Sequence, residues 1–352
     1  AGLTASDIDG IMYTDTVADQ FNAKDFRAHF GTSADMWESP EGGAMVWAAT
    51  APYQAAQALQ SGKATYIVNS FAVDWATRRP QMTGGPGAWH ASELVKSQLE
   101  LPFGWFPQPV YFATFASRHM HQYGTTCEQL GHLVTTFRQH ANSTPGAVMH
   151  GKPLSLDDYL ARPPLAEPLR VEDCCLISDG AAAYIMTTPE RARDLPKRPA
   201  IVTGIGHGRI DSAPYISQQG DLTSTPQVFA APGAYAMAGI TPADIDVLAV
   251  YDCFSITALM QIEDMGFCRK GEGGTFVEKD RLHFSNDRRR GGLPTNTHGG
   301  LLSHAYVLGI AHVVELVRQL RGAASNQVPA AEVAAYAGFT ADEAATLILR
   351  TA

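Results

Sequence analysis

Where Asn296-Thr-His298-Gly299-Gly300-Leu-Leu-Ser-His304-Ala-Tyr306 runs, three titratable side chains surround two glycines at a loop-to-helix junction. Backbone N–H groups at such a junction can bind an oxyanion or a phosphate. Histidine and tyrosine beside them supply acid/base capacity, so this stretch is the best local case for a site. Tyr251-Asp252-Cys253-Phe254 stands where a core strand ends, a place from which side chains reach a crevice in α/β folds. Tyr251 is either a packed ring or a proton donor to a developing alkoxide or enolate, two readings of equal weight. Tyr336-Ala-Gly-Phe reads as a small-residue turn before the last strand, either loop filler or a second phenol facing the same pocket.

Other conspicuous residues have plainer explanations. Gly204-Ile-Gly206-His-Gly208 follows a strand but lacks the spacing of a dinucleotide fingerprint, and is expected to be a glycine turn after an edge strand. His119 and His121, with His132 and His140 nearby, lack a thiolate or carboxylate that would complete a ligand set, so no metal is expected. The five cysteines, Cys127, Cys174, Cys175, Cys253 and Cys268, form no C-x-x-C pair, which indicates reduced thiols and a cytoplasmic protein. The 35 acidic against 26 basic residues give a net charge of −9, a poor footprint for nucleic acid, and Arg288 to Arg290 read as solvated surface. No apolar run is long enough to span a membrane.

An internal repeat organises the elements that must carry these residues. Gly2, Thr4, Asp7, Ile8, Asp9 and Asp15 fall without a gap on Gly239, Thr241, Asp244, Ile245, Asp246 and Asp252. Each copy predicts a turn capped by threonine and then a buried strand, and duplication of one half explains the match. The second copy is preceded by a strand at 200–205 and a helix at 227–237, whereas the first begins at the motif, so the first half lacks an opening strand–helix unit and the natural chain is expected to be longer. Tyr53 to Ser61 predicts an alanine-rich helix stopped by Gly62, followed by a strand from Ala64. Ala182 to Met186 and Val247 to Tyr251 predict buried strands, His312 to Leu320 a helix capped by Gly322, and Thr346 to Leu349 a final strand. Residues 1–82 and 169–197 then form the first half and 198–352 the second. Between them, 83–168 is an insertion rich in Gly, Pro and Trp at its start.

Several segments together resemble the thiolase superfamily, in its sterol-carrier and lipid-transfer-protein branch: RHMHQYGTT from Arg118, PLRVEDCCLISDGAAA ending at Ala183, YDCF from Tyr251, GGLLSHAY from Gly299 and VELVRQLRG ending at Gly322. The resemblance implies a five-layered αβαβα fold of two pseudo-symmetric halves, an acyl-CoA thioester substrate and a homodimeric core. This chain departs from the family where a thiolase needs sulfur. The turn that would carry the nucleophilic cysteine reads Glu41-Gly42-Gly43-Ala44-Met45, and neither Ala44 nor Met45 can form an acyl-enzyme. Tyr251 stands where many relatives have histidine, SHAY replaces the usual His-Pro, and Tyr336 occupies the late cysteine turn.

Members with such tyrosines resemble steroid side-chain aldolases, which cleave a β-hydroxyacyl-CoA to a ketone and propionyl-CoA. A retro-aldol step needs a base for the hydroxyl proton, support for a thioester enolate and an acid for its carbon, but no nucleophile and no free CoA. The resemblance implies Tyr251 and Tyr336 as the proton-transfer groups, and His304 or Tyr306 with nearby N–H groups at the thioester carbonyl. His298, Gly299, Gly300, Asp252, Cys253 and Met45 would contact substrate. No resident cofactor is implied, coenzyme A entering only as part of the substrate. It also implies a small OB-fold, zinc-ribbon acyl-CoA-binding partner, for which the Trp89 to Pro109 stretch offers an apolar docking patch. The alternatives are a thiolase that uses Cys253 or Cys127, and a non-catalytic lipid-transfer or scaffold subunit.

Overall fold

The computed structural model describes residues 1–14, 20–32, 35–78, 94–105, 107–210, 216–340 and 342–352. Its first sheet holds β1 (Gly10–Met12), β2 (Trp37–Ser39), β3 (Ile67–Asp74) and β4 (Asp179–Met186), in the order β2-β1-β3-β4. The second holds β5 (Ala200–Arg209), β6 (Val247–Val250), β7 (Val333–Phe339) and β8 (Glu343–Thr351), in the order β5-β8-β7-β6. Helices α1 (Ala23–Phe30), α2 (Trp47–Gln60) and the short α3 (Trp75–Arg78) belong to the first half. Helices α4 (Gln108–Tyr123), α5 (Cys127–Ser143) and α6 (Leu156–Ala161) follow, then α7 (Pro189–Arg193) after β4. The second half adds α8 (Gln227–Ala238), α9 (Ser255–Asp264), α10 (Gly273–Phe276), α11 (Gly300–Ser303) and α12 (Ile310–Arg321).

The repeat seen in the sequence is a repeat of hydrogen bonds. Asp7 accepts from the Thr4 N–H and hydroxyl at 2.7 and 2.8 Å, and Asp244 accepts from the same groups of Thr241 at 2.8 Å each. Two residues on, Asp9 takes the N–H groups of Thr65 and Tyr66 just before β3, and Asp246 those of Glu332 and Val333 where β7 begins. In both halves the strand after the motif pairs parallel with the next central strand, which pairs antiparallel with the last. Asp15, the end of the first copy, lies outside the described residues.

Burial sorts these elements into five layers. Ile11 and Met12, adjacent in β1, face opposite ways. Ile11 joins Ala23 and Phe26 of α1, while Met12 joins Ala51, Ala55, Ala58 and Leu59 of α2. Helix α2 contacts β3 on one side and β5, β7 and β8 on the other, and α12 likewise bridges β4 to β5, β6, β7 and β8. Alanine along α2 permits this sandwich. Helix α8 covers the far side of β5 and β8. The order is therefore helix, sheet, helix pair, sheet, helix, as expected.

Three expectations are corrected. Gly204, Gly206 and Gly208 form no turn; they lie in β5, on the face pressed against α8. A methyl group on Gly206 would collide with the Ala230 carbonyl, and one on Gly208 would lie 2.5 Å from the Pro226 carbonyl, so the glycines let a strand and a helix touch backbone to backbone. Strand β4 is not buried: its residues alternate between half-buried and exposed, because the sheet face that carries Ala181, Ala183 and Ile185 is open to solvent while the other faces the interior. Tyr336 is not in a turn but inside β7, fully buried. Between the free edge of β4 and β5, with α2 and α12 as walls, lies an apolar cavity of about 660 Å³.

Candidate active site

Strand β6 ends at Val250, and the Asn296 amide pins that end. Its Oδ1 accepts the Val250 N–H at 2.9 Å and its Nδ2 donates to the Val250 carbonyl at 3.0 Å. Thr297, buried behind it, donates to Glu315 of α12, and Gln319 and Asn326 complete that network. The Asn296–Gly300 loop is thereby fixed to both strand and helix. Gly299 and Gly300 adopt positive φ values of 110° and 63°, and an added Cβ on Gly299 would come within 2.5 Å of Ala141 in α5. The glycines serve close packing and chain reversal.

The anion held at this turn is internal. Asp252, fully buried, accepts the Leu301 and Leu302 N–H groups at 2.9 and 3.3 Å and pairs with His312 Nε2 at 3.0 Å. Its side chain fills the space a Cβ on Gly300 would need. The Asp252 carboxylate, one of the expected substrate contacts, thus occupies the Leu301 and Leu302 donors of this turn and holds His312.

Three phenols converge next to this anchor. Tyr336 donates its hydroxyl to the Met45 carbonyl at 3.0 Å. Met45 has φ 55°, and its N–H donates to the Leu308 carbonyl, so it contributes backbone to this junction. Gly309, φ 87°, lets both rings close in on it: a Cβ there would strike the Tyr336 hydroxyl and lie 2.9 Å from Cδ2 of Tyr251. The Tyr251 and Tyr306 hydroxyls lie 3.5 Å apart. Tyr306 rests on the Trp75 ring at 4.9 Å, and its N–H donates to the Ser178 hydroxyl at 2.8 Å. Burial raises all three phenols well above the ordinary tyrosine range, aided at Tyr251 by Tyr306 and at Tyr306 by Cys175. They are protonated at neutral pH.

Sulfur is disarmed here. Burial pushes the Cys253 thiol up to about 12, and it lies 3.6 Å from the Thr257 hydroxyl. Burial also raises Cys175 well above its ordinary value. A nucleophilic thiol needs the opposite shift.

Imidazoles line the other side. His312 lies 5.8 Å from the Tyr336 ring and 4.9 Å from His298, which in turn lies 4.8 Å from His304. His298 is buried with both ring nitrogens unpartnered, and Nδ1 of His304 and of His312 are likewise buried without partners. Burial is the main reason His298 sits well below the ordinary histidine range and His304 falls to about 4. Tyr251, Tyr306, Tyr336, His298, His304 and Cys253 thus bring their side chains to one neighbourhood, Asp252 supports it through His312, and Gly299, Gly300 and Met45 contribute backbone. Sequence reasoning missed His312, Gly309 and Ser178. A signal for His312 was available: His312, Glu315 and Gln319 form a buried polar row on an otherwise amphipathic helix.

Elsewhere, His119 is satisfied by Thr125 at 2.8 Å and Glu263 at 3.1 Å. No cluster of three or more His, Cys, Asp or Glu suited to a metal occurs among the described residues. Arg288 pairs with Asp246 at 3.2 Å. No helix among the described residues is long and apolar enough to cross a membrane. Of the Trp89 to Pro109 stretch, residues 89–93 and 106 lie outside the described residues, while Leu94, Leu99 and Phe103 are exposed.

Residues 208–351 match the family described as thiolase C-terminal domain-like. A steroid side-chain-cleaving aldolase of Thermomonospora curvata is 33% identical over 332 residues, covering 93% of this chain and 83% of that protein. A 17-hydroxy-3-oxo-4-pregnene-20-carboxyl-CoA lyase of Mycobacterium tuberculosis is 36% identical over 68% of this chain and 61% of its own length. Among solved structures, an Ltp2-ChsH2(DUF35) aldolase superposes with TM-score 0.87 at 31% identity, over 100% of this chain and 89% of that one. Human mitochondrial 3-ketoacyl-CoA thiolase shares the fold alone, with TM-score 0.65 at 14% identity, over 99% of this chain and 88% of that one. Repeat, layers and relatives agree: the chain belongs to the thiolase superfamily, in the group that holds the steroid side-chain-cleaving aldolase.

Proposed function

We propose that this protein is a carbon–carbon lyase that cleaves a β-hydroxyacyl-CoA, a steroid side-chain thioester, into a ketone and propionyl-CoA. One observation carries the reading: Tyr251 and Tyr336 meet at Gly309, with Tyr306 beside Tyr251, next to a first-half turn, Ala44–Met45, that offers no thiol. Protonated phenols suit a reaction that moves protons and forms no acyl-enzyme. Tyr251 and Tyr336 handle the protons of the hydroxyl and the carbanion. The thioester carbonyl is polarised by His304 or Tyr306, since the N–H groups of Leu301 and Leu302 are already spent on Asp252. The names of the relatives support the substrate class. Coenzyme A enters as part of the substrate, and the scheme draws on no resident cofactor.

The working assembly in this reading is a homodimeric core joined by a small OB-fold, zinc-ribbon acyl-CoA-binding protein. A structural neighbour whose name pairs Ltp2 with ChsH2(DUF35) supports a second component, and the exposed Leu99 and Phe103 are the apolar residues we assign to its docking. The test is incubation with a branched β-hydroxyacyl-CoA, with and without that partner. Release of propionyl-CoA without consumption of free CoA is expected. A covalent acyl adduct on a cysteine, found by mass spectrometry, would overturn the reading in favour of a thiolase.

A further inference from the structure

The three phenols are not held alike. Tyr336 lies within β7, paired to β6 and β8, and Tyr251 continues β6 with its N–H on the Ala337 carbonyl. Sheet hydrogen bonds fix both. Tyr306 stands in the irregular loop between α11 and α12, half-buried, with its hydroxyl 3.5 Å from that of Tyr251. It belongs to no strand, so something other than a sheet must hold that spacing.

The start of β4 does so. Three consecutive residues, Ser178, Asp179 and Gly180, each act on Tyr306 or on a neighbour of it. The Ser178 hydroxyl, 4% exposed, accepts the Tyr306 N–H at 2.8 Å. The Asp179 carboxylate accepts the N–H groups of Ala76 and Thr77 at 2.8 and 3.1 Å and the Thr77 hydroxyl at 2.7 Å. It thereby fixes α3, and with it Trp75, whose ring lies 4.9 Å from that of Tyr306. Gly180 leaves room for the next residue of the loop: a Cβ there would lie 3.0 Å from Cγ2 of Val307. Asp74 and Asp179 are paired in register, which brings Trp75 and Ser178 to one end of the first sheet. By composition Ser-Asp-Gly reads only as a turn. Its placement gives each of the three a separate task at one loop.

We infer that Ser178, Asp179 and Trp75 are positioning residues that set the Tyr306 hydroxyl against Tyr251. Ser178 acts through the backbone, Trp75 through the ring, and Asp179 through Trp75. The inference rests on the aldolase reading, which puts Tyr306 at the thioester and leaves its support unassigned. The bond to Ser178 fixes the loop but leaves the Tyr306 ring free to turn about its two side-chain torsions. A flat aromatic neighbour removes that freedom. Displacing a reacting group by about 1 Å can cost about 100-fold in rate. Trp75 has no acid or base that works at neutral pH, so its effect on the rate passes through Tyr306.

A double-mutant cycle tests this, read as propionyl-CoA release from a branched β-hydroxyacyl-CoA in the assembly that turns over. Trp75→Leu is expected to lower kcat about 10- to 100-fold with KM within about three-fold. Trp75→Phe keeps an aromatic face and is expected to stay within about three-fold of wild type, which guards against a folding defect of the first variant. In a Tyr306→Phe background, itself lowered about 100-fold, Trp75→Leu costs less than about two-fold more, because the hydroxyl it positions is gone. Ser178→Ala is expected to follow the same pattern, losing rate only where the Tyr306 hydroxyl is present. Losses that add in the double variants place Trp75 and Ser178 outside any service to Tyr306 and overturn the inference. So do equal losses in Trp75→Leu and Trp75→Phe, or a loss in neither, and all three outcomes leave the aldolase reading in place. Tyr306→Phe at full rate overturns the inference too, and leaves His304 at the thioester carbonyl. A wild-type enzyme that releases no propionyl-CoA removes the aldolase reading and the inference with it.

Discussion

Asn69 and Asn296 use the same bonds in the two halves to different ends. Each amide takes a backbone N–H and returns a bond to the carbonyl of the same residue, Gly43 for Asn69 and Val250 for Asn296. In the first half the clamp steadies the turn that leads to Met45, which gives the site a backbone carbonyl. In the second it steadies the strand end that presents Tyr251 and Asp252. Asp9 and Asp246 are a matching pair whose work is the same in both halves. The duplicated halves have kept the Asp9 and Asp246 bonds, while Asn69 and Asn296 stand at different places of the repeat; the titratable side chains converge from the second half, and the first supplies support.

The largest test of that division is Tyr336→Phe and Tyr251→Phe. Each is expected to lower kcat by about 10²–10⁴-fold with little change in KM, measured as propionyl-CoA release. Tyr184→Phe, at a half-buried first-half phenol that donates to the Ala48 carbonyl, should leave kcat within about three-fold and cost about 1 kcal/mol of stability. Equal catalytic losses would break the asymmetry.

Gly309→Ala comes next. It adds strain at positive φ to a collision with two phenols, and should destabilise by about 2–4 kcal/mol in chemical denaturation while cutting kcat. Gly206→Ala, which jams β5 against α8, should destabilise by about 1–3 kcal/mol and leave kcat unchanged.

The Asn pair sharpens the comparison further. Asn69→Ala and Asn296→Ala each remove two buried hydrogen bonds, costing about 2–3 kcal/mol. Only the second should also lower kcat by more than ten-fold, because it frees the end of β6.

The smallest effect concerns the repeated caps. Asp7 and Asp244 are both lowered by their hydrogen bonds to Thr4 and Thr241. A carboxylate depressed in the folded state contributes stability above its unfolded pKa of about 4, and loses it as pH falls through the folded value. Both caps should therefore weaken below about pH 4. Asp7→Asn and Asp244→Asn should each flatten the acid limb of stability slightly and to the same extent, read from denaturation midpoints between pH 2 and 6.

Much of the frame was readable before any coordinates. The capped-turn repeat, helix α12 with its Gly322 cap and the buried strand ending at Val250 announce themselves through local chemistry, since caps and apolar runs act over a few residues. Tyr336 was misplaced because Ala-Ala-Tyr-Ala-Gly resembles a turn by composition. Only its pairing with β6 and β8 makes it a strand, and only the approach of Met45 requires Gly338. The glycines of β5 were misread for the same reason: nothing local announces a helix lying on them. Strand β4 carries apolar residues that suggest burial, yet one of its two faces is open to solvent, and which face is covered depends on elements distant in the chain.

The sequence by itself determined that two related halves exist, that the first-half turn at Ala44 and Met45 carries no thiol, and where several of the helices lie. The tertiary structure decided which groups meet. Tyr336 donates to a carbonyl 291 positions away, and Asp252 turns inward to hold His312. Burial then sets which protons each group keeps. Contact and desolvation depend on distance in space, and residues far apart in the chain carry no local mark of it.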